Sequence, residues 1–109
     1  MKRILFICSQ NKLRSPTAEN IFSNDPNLEV ASAGLDNDAK IKVTPELVEW
    51  ADIIFVMEKN HKNRLQKKFK KHLNKQRVIC LGIPDAYDYM DPELINIFKN
   101  RIPKLLGSY

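Results

Sequence analysis

The stretch Ile4-Leu5-Phe6-Ile7-Cys8-Ser9-Gln10-Asn11-Lys12-Leu13-Arg14-Ser15-Pro16 decides how the chain is read. Four apolar residues in a row fit a strand buried on both faces. Ser15-Pro16 reads as an N-cap followed by a first helical position. Between them, residues 8–14 form a tight strand-to-helix loop. Its backbone N–H groups can turn inward as an anion cradle, with the helix N-terminus adding positive potential behind it. A cysteine in that field is expected to react as a thiolate. Five residues on, Arg14 offers a rigid fork that can hold two phosphate oxygens at once. A thiolate, an arginine and a ring of amides around one centre are the parts that phosphoryl transfer to sulfur requires.

Outward from this loop the chain alternates strands and helices. The first strand is expected over 3–7 and the first helix over 16–22, ending before Asn24-Asp25-Pro26. A second strand covers 28–33 and stops at Gly34, and a polar connection spans 36–42. Thr44-Pro45-Glu46 opens a short helix to Trp50. Ile53, Ile54, Phe55 and Val56 mark a central strand over 52–57. Leu65, Phe69 and Leu73 give a helix over 59–73 a narrow apolar stripe under a basic face. A fourth strand over 77–81 contains Cys80, and a loop follows over 82–90. Asp91-Pro92-Glu93 starts a last helix whose core face is Leu94, Ile97, Phe98 and Ile102, with Pro103 expected to kink or end it.

Such alternation implies parallel strands with right-handed crossovers. The expected fold is an α/β single-domain, flavodoxin-like three-layer sandwich with a four-stranded parallel sheet of order 2-1-3-4. In such sheets ligands sit outside the carboxyl ends of the strands, at the switch point where Cys8 falls. The loop after strand four must open onto the same edge.

Composition sets the frame. A chain of 109 residues, 43% hydrophobic, reads as one domain over 1–109 with a real core. No stretch is long and apolar enough for a signal peptide or a membrane span, so a cytoplasmic protein with reduced cysteines is expected. The formal net charge is +5, and nine of the eighteen Lys and Arg residues lie between Lys59 and Arg77. That run reads first as a solvated helix face and second as a docking surface for acidic or nucleic-acid partners. It carries no nucleic-acid motif. His61 and His72 are expected at the surface of this helix.

Cys8, Asn11, Arg14, Ser15 and Pro16, continued by Ala18 and Glu19, resemble the Cys-x-Gly-Asn-x-Cys-Arg-Ser-Pro motif of the low-molecular-weight protein tyrosine phosphatase family. Gln10 stands where the family has glycine, and Leu13 where many members have a second cysteine. Ser32-Ala33-Gly34 and the segment 51–57 also resemble family strands, and the connection before strand three is shorter than in most members. The resemblance implies a phosphatase acting on phosphate monoesters, in particular protein phosphotyrosine, through a cysteinyl-phosphate. Cys8 would be the nucleophile and Arg14 the phosphate clamp, with Ser9, Gln10, Asn11, Lys12, Leu13 and Ser15 in the phosphate-binding loop. Family members carry their general acid in an Asp-Pro-Tyr loop; Asp85-Ala86-Tyr87 is the nearest match. Asp85 is therefore the expected acid and Tyr87 a pocket candidate. Asp88 is the alternative acid, and Asp91 reads as a helix cap.

Asn11 fits the positive φ of a tight loop, and Ser15 either supports the thiolate or caps the helix. No metal or other cofactor is expected. The partner is a phosphorylated protein or a small phosphate monoester, and the chain is expected to be a monomer. Three rivals stand beside this reading. An arsenate reductase would need more cysteines than Cys80 to pass a disulfide along. A phosphocarrier of the sugar-transport type would generally lack an arginine at position 14. A non-catalytic phosphate-binding module would bind without turnover.

Overall fold

In the computed structural model, which describes residues 2–107, the apolar run forms β1 (Lys2–Cys8). Its side chains alternate between two cores: Ile4, Phe6 and Cys8 enter one, Leu5 and Ile7 the other. A strand covered on both faces has no solvent side, which is why the run from Ile4 to Cys8 is unbroken. β2 (Leu28–Gly34) and β3 (Ile53–Val56) flank it, and β4 (Arg77–Cys80) lies beyond β3. All pairs are parallel, in the expected order β2-β1-β3-β4.

Helices α1 (Arg14–Phe22) and α4 (Pro92–Leu106) cover the Phe6 face. There Phe6 stacks on Phe22 and Phe55, with ring centroids 6.1 and 5.7 Å away, and tilts against Phe98 at 6.4 Å. Helices α2 (Pro45–Trp50) and α3 (Lys59–Lys68) cover the other face through Val48 and Leu65. Thr44 and Asp91 cap α2 and α4 as expected, each side chain accepting a backbone N–H of the first turn. Trp50 packs against the second core.

Three local expectations are corrected. Helix α3 stops at Lys68 rather than running to 73; a single 3-10 turn over Lys70–His72 completes the segment. Phe69 and Leu73 still pack on the second core, so the apolar stripe survives the change of pitch. The tighter turn is fastened from outside the helix: the Gln76 amide donates to the carbonyls of His72 (2.9 Å) and Val48 (2.6 Å). Pro103 does not end α4, which continues to Leu106. Ile102 and Leu106, buried on either side of it, hold the last turn against the core. And α1 begins at Arg14 with Leu13 as its N-cap, so Ser15 is not the cap.

Cys8 pairs in register with Gly34, Ile7 with Val56, and Val56 with Cys80. The loops that follow all four strands therefore meet at one edge of the sheet, beside Cys8. No helix among the described residues is long and apolar enough to cross a membrane.

Candidate active site

Ser15 sits inside the first turn of α1 with its hydroxyl turned back on the cysteine, Oγ 2.9 Å from Cys8 Sγ. Of the two roles open to Ser15, the structure shows this contact and not the cap. The Asn11 backbone N–H also donates to Sγ, at 3.2 Å. Asn11 has φ 57°, the left-handed conformation expected of it. Its side-chain amide holds it there, donating to Ser15 Oγ (3.0 Å) and to Ser32 Oγ (2.9 Å). The Ser32 hydroxyl in turn donates to Glu19. Because Ser15 Oγ accepts a hydrogen bond from the Asn11 amide, its own O–H is free to point at sulfur. The Asn11 amide thus donates both ways, to Ser32, which passes a hydrogen bond on to Glu19, and to Ser15, whose hydroxyl joins the Asn11 backbone N–H as a second donor at the buried sulfur.

Arg14 is 3% exposed. Its Nη1 donates to Glu58 Oε2 at 2.7 Å and to the Ile83 carbonyl at 2.8 Å, and its Nε lies 3.7 Å from Asp85 Oδ1. The guanidinium is thus oriented by the loops after β3 and β4, and its charge is balanced by two carboxylates. A buried cation needs such partners.

His61 overturns the surface reading: it is fully buried in the first turn of α3. The Glu58 backbone N–H donates to His61 Nδ1 (3.1 Å), so Nδ1 carries no proton. The Nε2–H is then the donor to Ser9 Oγ, 2.9 Å away. Burial, then the nearby Arg14 charge, lowers the pKa from 6.5 to about 4, which keeps the ring in this neutral, loop-bracing form. His72, on the 3-10 turn, is half-exposed and pairs with Glu49 at 2.7 Å.

A cavity of about 390 Å³ opens over this loop. Cys8, Ser9, Gln10, Lys12, Leu13, Arg14, Asp36 and Asp85 line it. Asn11 and Ser15, both buried, support the loop from beneath. Of the three acids after β4, only Asp85 reaches the cavity. Asp88 is exposed and Asp91 is the α4 cap. Tyr87, the pocket candidate, packs half-buried against the first core and does not line the cavity.

Glu58, Gly34 and Asp36 were not singled out in the sequence. Glu58 follows β3 at the carboxyl edge, so the rule that placed Cys8 also marks that position. Gly34 marks only the end of a strand in the sequence, yet the loop crosses directly over it. A Cβ there would lie 2.5 Å from Ser9 O and 2.9 Å from Asn11 N. Beyond it, Leu35 and Asp36 donate backbone N–H bonds to the carbonyls of Cys8 (3.0 Å) and Ser9 (2.9 Å). The segment after β2 is thus a second wall for the loop.

The low molecular weight phosphotyrosine protein phosphatase family model matches residues 3–49, the part of the chain that carries the loop and its wall. Solved structures resemble the chain over nearly its whole length. A YwlE arginine phosphatase from Geobacillus stearothermophilus aligns with TM-score 0.75 at 23% identity, covering 97% of this chain and 94% of its own. The tyrosine phosphatase Wzb from Escherichia coli K30, in complex with phosphate, gives 0.74 at 23%, covering 97% and 99%. Vibrio vulnificus Wzb, in complex with benzylphosphonate, gives 0.68 at 25%, covering 90% of each chain. No curated protein sequence matches at a significant level. Fold, loop and partial family match together point to a cysteine-dependent phosphatase, and over residues 3–49 the chain resembles the low-molecular-weight kind. The rival chemistries are not favoured. Cys80 is exposed on an outer strand with β3 between it and Cys8, and Arg14 stands where a phosphocarrier generally has none.

Proposed function

We propose that the protein hydrolyses phosphate monoesters on other proteins, phosphotyrosine foremost, with Cys8, Arg14 and Asp85 as its catalytic residues. In the first half-reaction Cys8 Sγ attacks phosphorus and the ester P–O bond breaks. Arg14 and the loop N–H groups hold the non-bridging oxygens, and protonated Asp85 gives its proton to the leaving oxygen. In the second, Asp85 as carboxylate takes a proton from water as that water attacks phosphorus. The S–P bond breaks, phosphate leaves, and the Cys8 thiolate returns with Ser15 donating to it. Every step uses groups of this chain.

The observation that carries this reading is the convergence of the Ser15 hydroxyl and the Asn11 N–H on Cys8 Sγ, beside a buried, oriented Arg14. Turnover of p-nitrophenyl phosphate in the presence of a chelator tests it; binding without turnover would reject it in favour of a non-catalytic module. The neighbours described as tyrosine and as arginine phosphatases make phosphotyrosine and phosphoarginine peptides the pair to compare next.

A further inference from the structure

A second cavity, of about 340 Å³, adjoins the catalytic one: Leu35, Asp36, Asn37, Arg64 and Lys68 line it, and Asp36 lines both. We infer that this cavity is a subsite for an acidic side chain, aspartate or glutamate, flanking the phosphorylated residue of a protein substrate. The inference rests on the phosphatase reading above and adds a substrate class to it.

The charges at the cavity argue for an anion. Arg64 and Lys68 are one helical turn apart on α3 and project from the same face. Both are exposed. Asp36 is the only acid in the lining and answers one of the two cations, through a single contact from Arg64 Nη2 to its Oδ1 at 2.8 Å. A guanidinium has five N–H donors, so that contact leaves Arg64 able to accept a second carboxylate in fork geometry. The Lys68 ammonium stands over the Phe69 ring, 5.7 Å from its centroid, a contact that orients it without neutralising its charge. Wider surroundings push the same way. From Lys59 to Arg77 the sequence carries nine basic residues and no acidic one. Lys12 adds a cation to the lining of the catalytic cavity. A basic flank would meet net repulsion on this side of the mouth, whereas an acidic flank would be steered in and held.

The position fits a neighbouring residue rather than the phosphate itself. Asp36, shared by the two cavities, forms the partition between them. A phosphoryl group on Cys8 and a carboxylate on Arg64 would lie on opposite sides of it, each facing its own cation.

The test compares matched phosphotyrosine peptides flanked by Asp and Glu or by Lys and Arg, with p-nitrophenyl phosphate as a substrate that has no flank. The enzymes are the wild type, Arg64→Gln/Lys68→Gln, and Lys68→Glu, which leaves the Asp36–Arg64 pair in place. The wild type should favour the acidic peptide in kcat/KM by about five- to tenfold at low salt, the worth of two part-exposed ion pairs. That preference should shrink as salt rises. The double variant should lose it while hydrolysing p-nitrophenyl phosphate within about twofold of wild type. Lys68→Glu should shift it toward the basic peptide. A wild type that hydrolyses p-nitrophenyl phosphate yet does not discriminate between the peptides overturns the subsite alone, as does a preference that survives both variants. A wild type inert on p-nitrophenyl phosphate overturns the phosphatase reading and the subsite with it.

Discussion

Asp85 is two-thirds exposed and is tied to the site only through the 3.7 Å pair with Arg14. Its role therefore depends on where the loop after β4 carries it, and only substitution can separate it from Asp88. If Asp85 is the acid, Asp85→Asn should cost about 10²–10⁴-fold on an aryl phosphate with a poor leaving group. The loss should be much smaller with a good leaving group, which needs no proton, while Asp88→Asn should show no such dependence. The reverse pattern assigns the acid to Asp88. His61 makes a second prediction. Its pKa falls from 6.5 to about 4 in the folded protein, so the unfolded chain binds the extra proton first as pH drops. Stability should be flat above about pH 6.5, fall between 6.5 and 4, and level off below that as far as this group is concerned. Urea midpoints measured across that range should show the slope, and His61→Gln should flatten it. An unchanged slope in the variant would mean other groups carry it. The burial of His61 is not legible in the sequence, because a histidine on a basic, strongly polar helix looks like a surface residue. Its burial comes from the loop after β1 folding over the α3 N-terminus, a contact between residues 52 positions apart.

At the scale of elements, the cradle is built by the turn after β1 and by the end of β2 beneath it. Gly34→Ala would push a methyl group into Ser9 O and Asn11 N, both backbone atoms that cannot rotate away. The expected cost is about 1–3 kcal/mol of stability. The displaced loop should also lose about 10²-fold in kcat/KM. A variant with wild-type kinetics would show that the loop does not rely on this close approach. The four strands, their order and the α2 and α4 caps were legible in the sequence, because burial on two faces and Ser/Thr/Asp-Pro signals are local. The end of α3 was not. Spacing of four between Leu65, Phe69 and Leu73 looks alike whether the chain continues as an α-helix or tightens, and the Gln76–Val48 contact that fastens the turn is long-range. The loop from Cys8 to Pro16 was legible as a strand-to-helix turn that gathers Cys8 and Arg14 at one sheet edge. The Glu58, His61 and Gly34 supports were not, since each acts through a neighbour from another strand's end.

Across the whole molecule, the parallel order that brings all four loops to one edge also keeps the two cysteines apart. With β3 between β1 and β4, strands two spacings apart are roughly 9–10 Å from one another. A disulfide needs Cα atoms within about 7 Å. Peroxide should therefore drive Cys8 to sulfenic and higher acids without an internal bridge to Cys80; a mass spectrum showing that bridge would contradict the rigidity assumed for the sheet. The central claim is that the site passes phosphate through sulfur. Rapid acid quench during turnover of p-nitrophenyl phosphate, followed by peptide mapping, tests it most directly. The account predicts one phosphoryl group on the peptide containing Cys8, bound at sulfur and absent from Cys8→Ala. Normal turnover in Cys8→Ala, or phosphoryl transfer to any other residue, would contradict it.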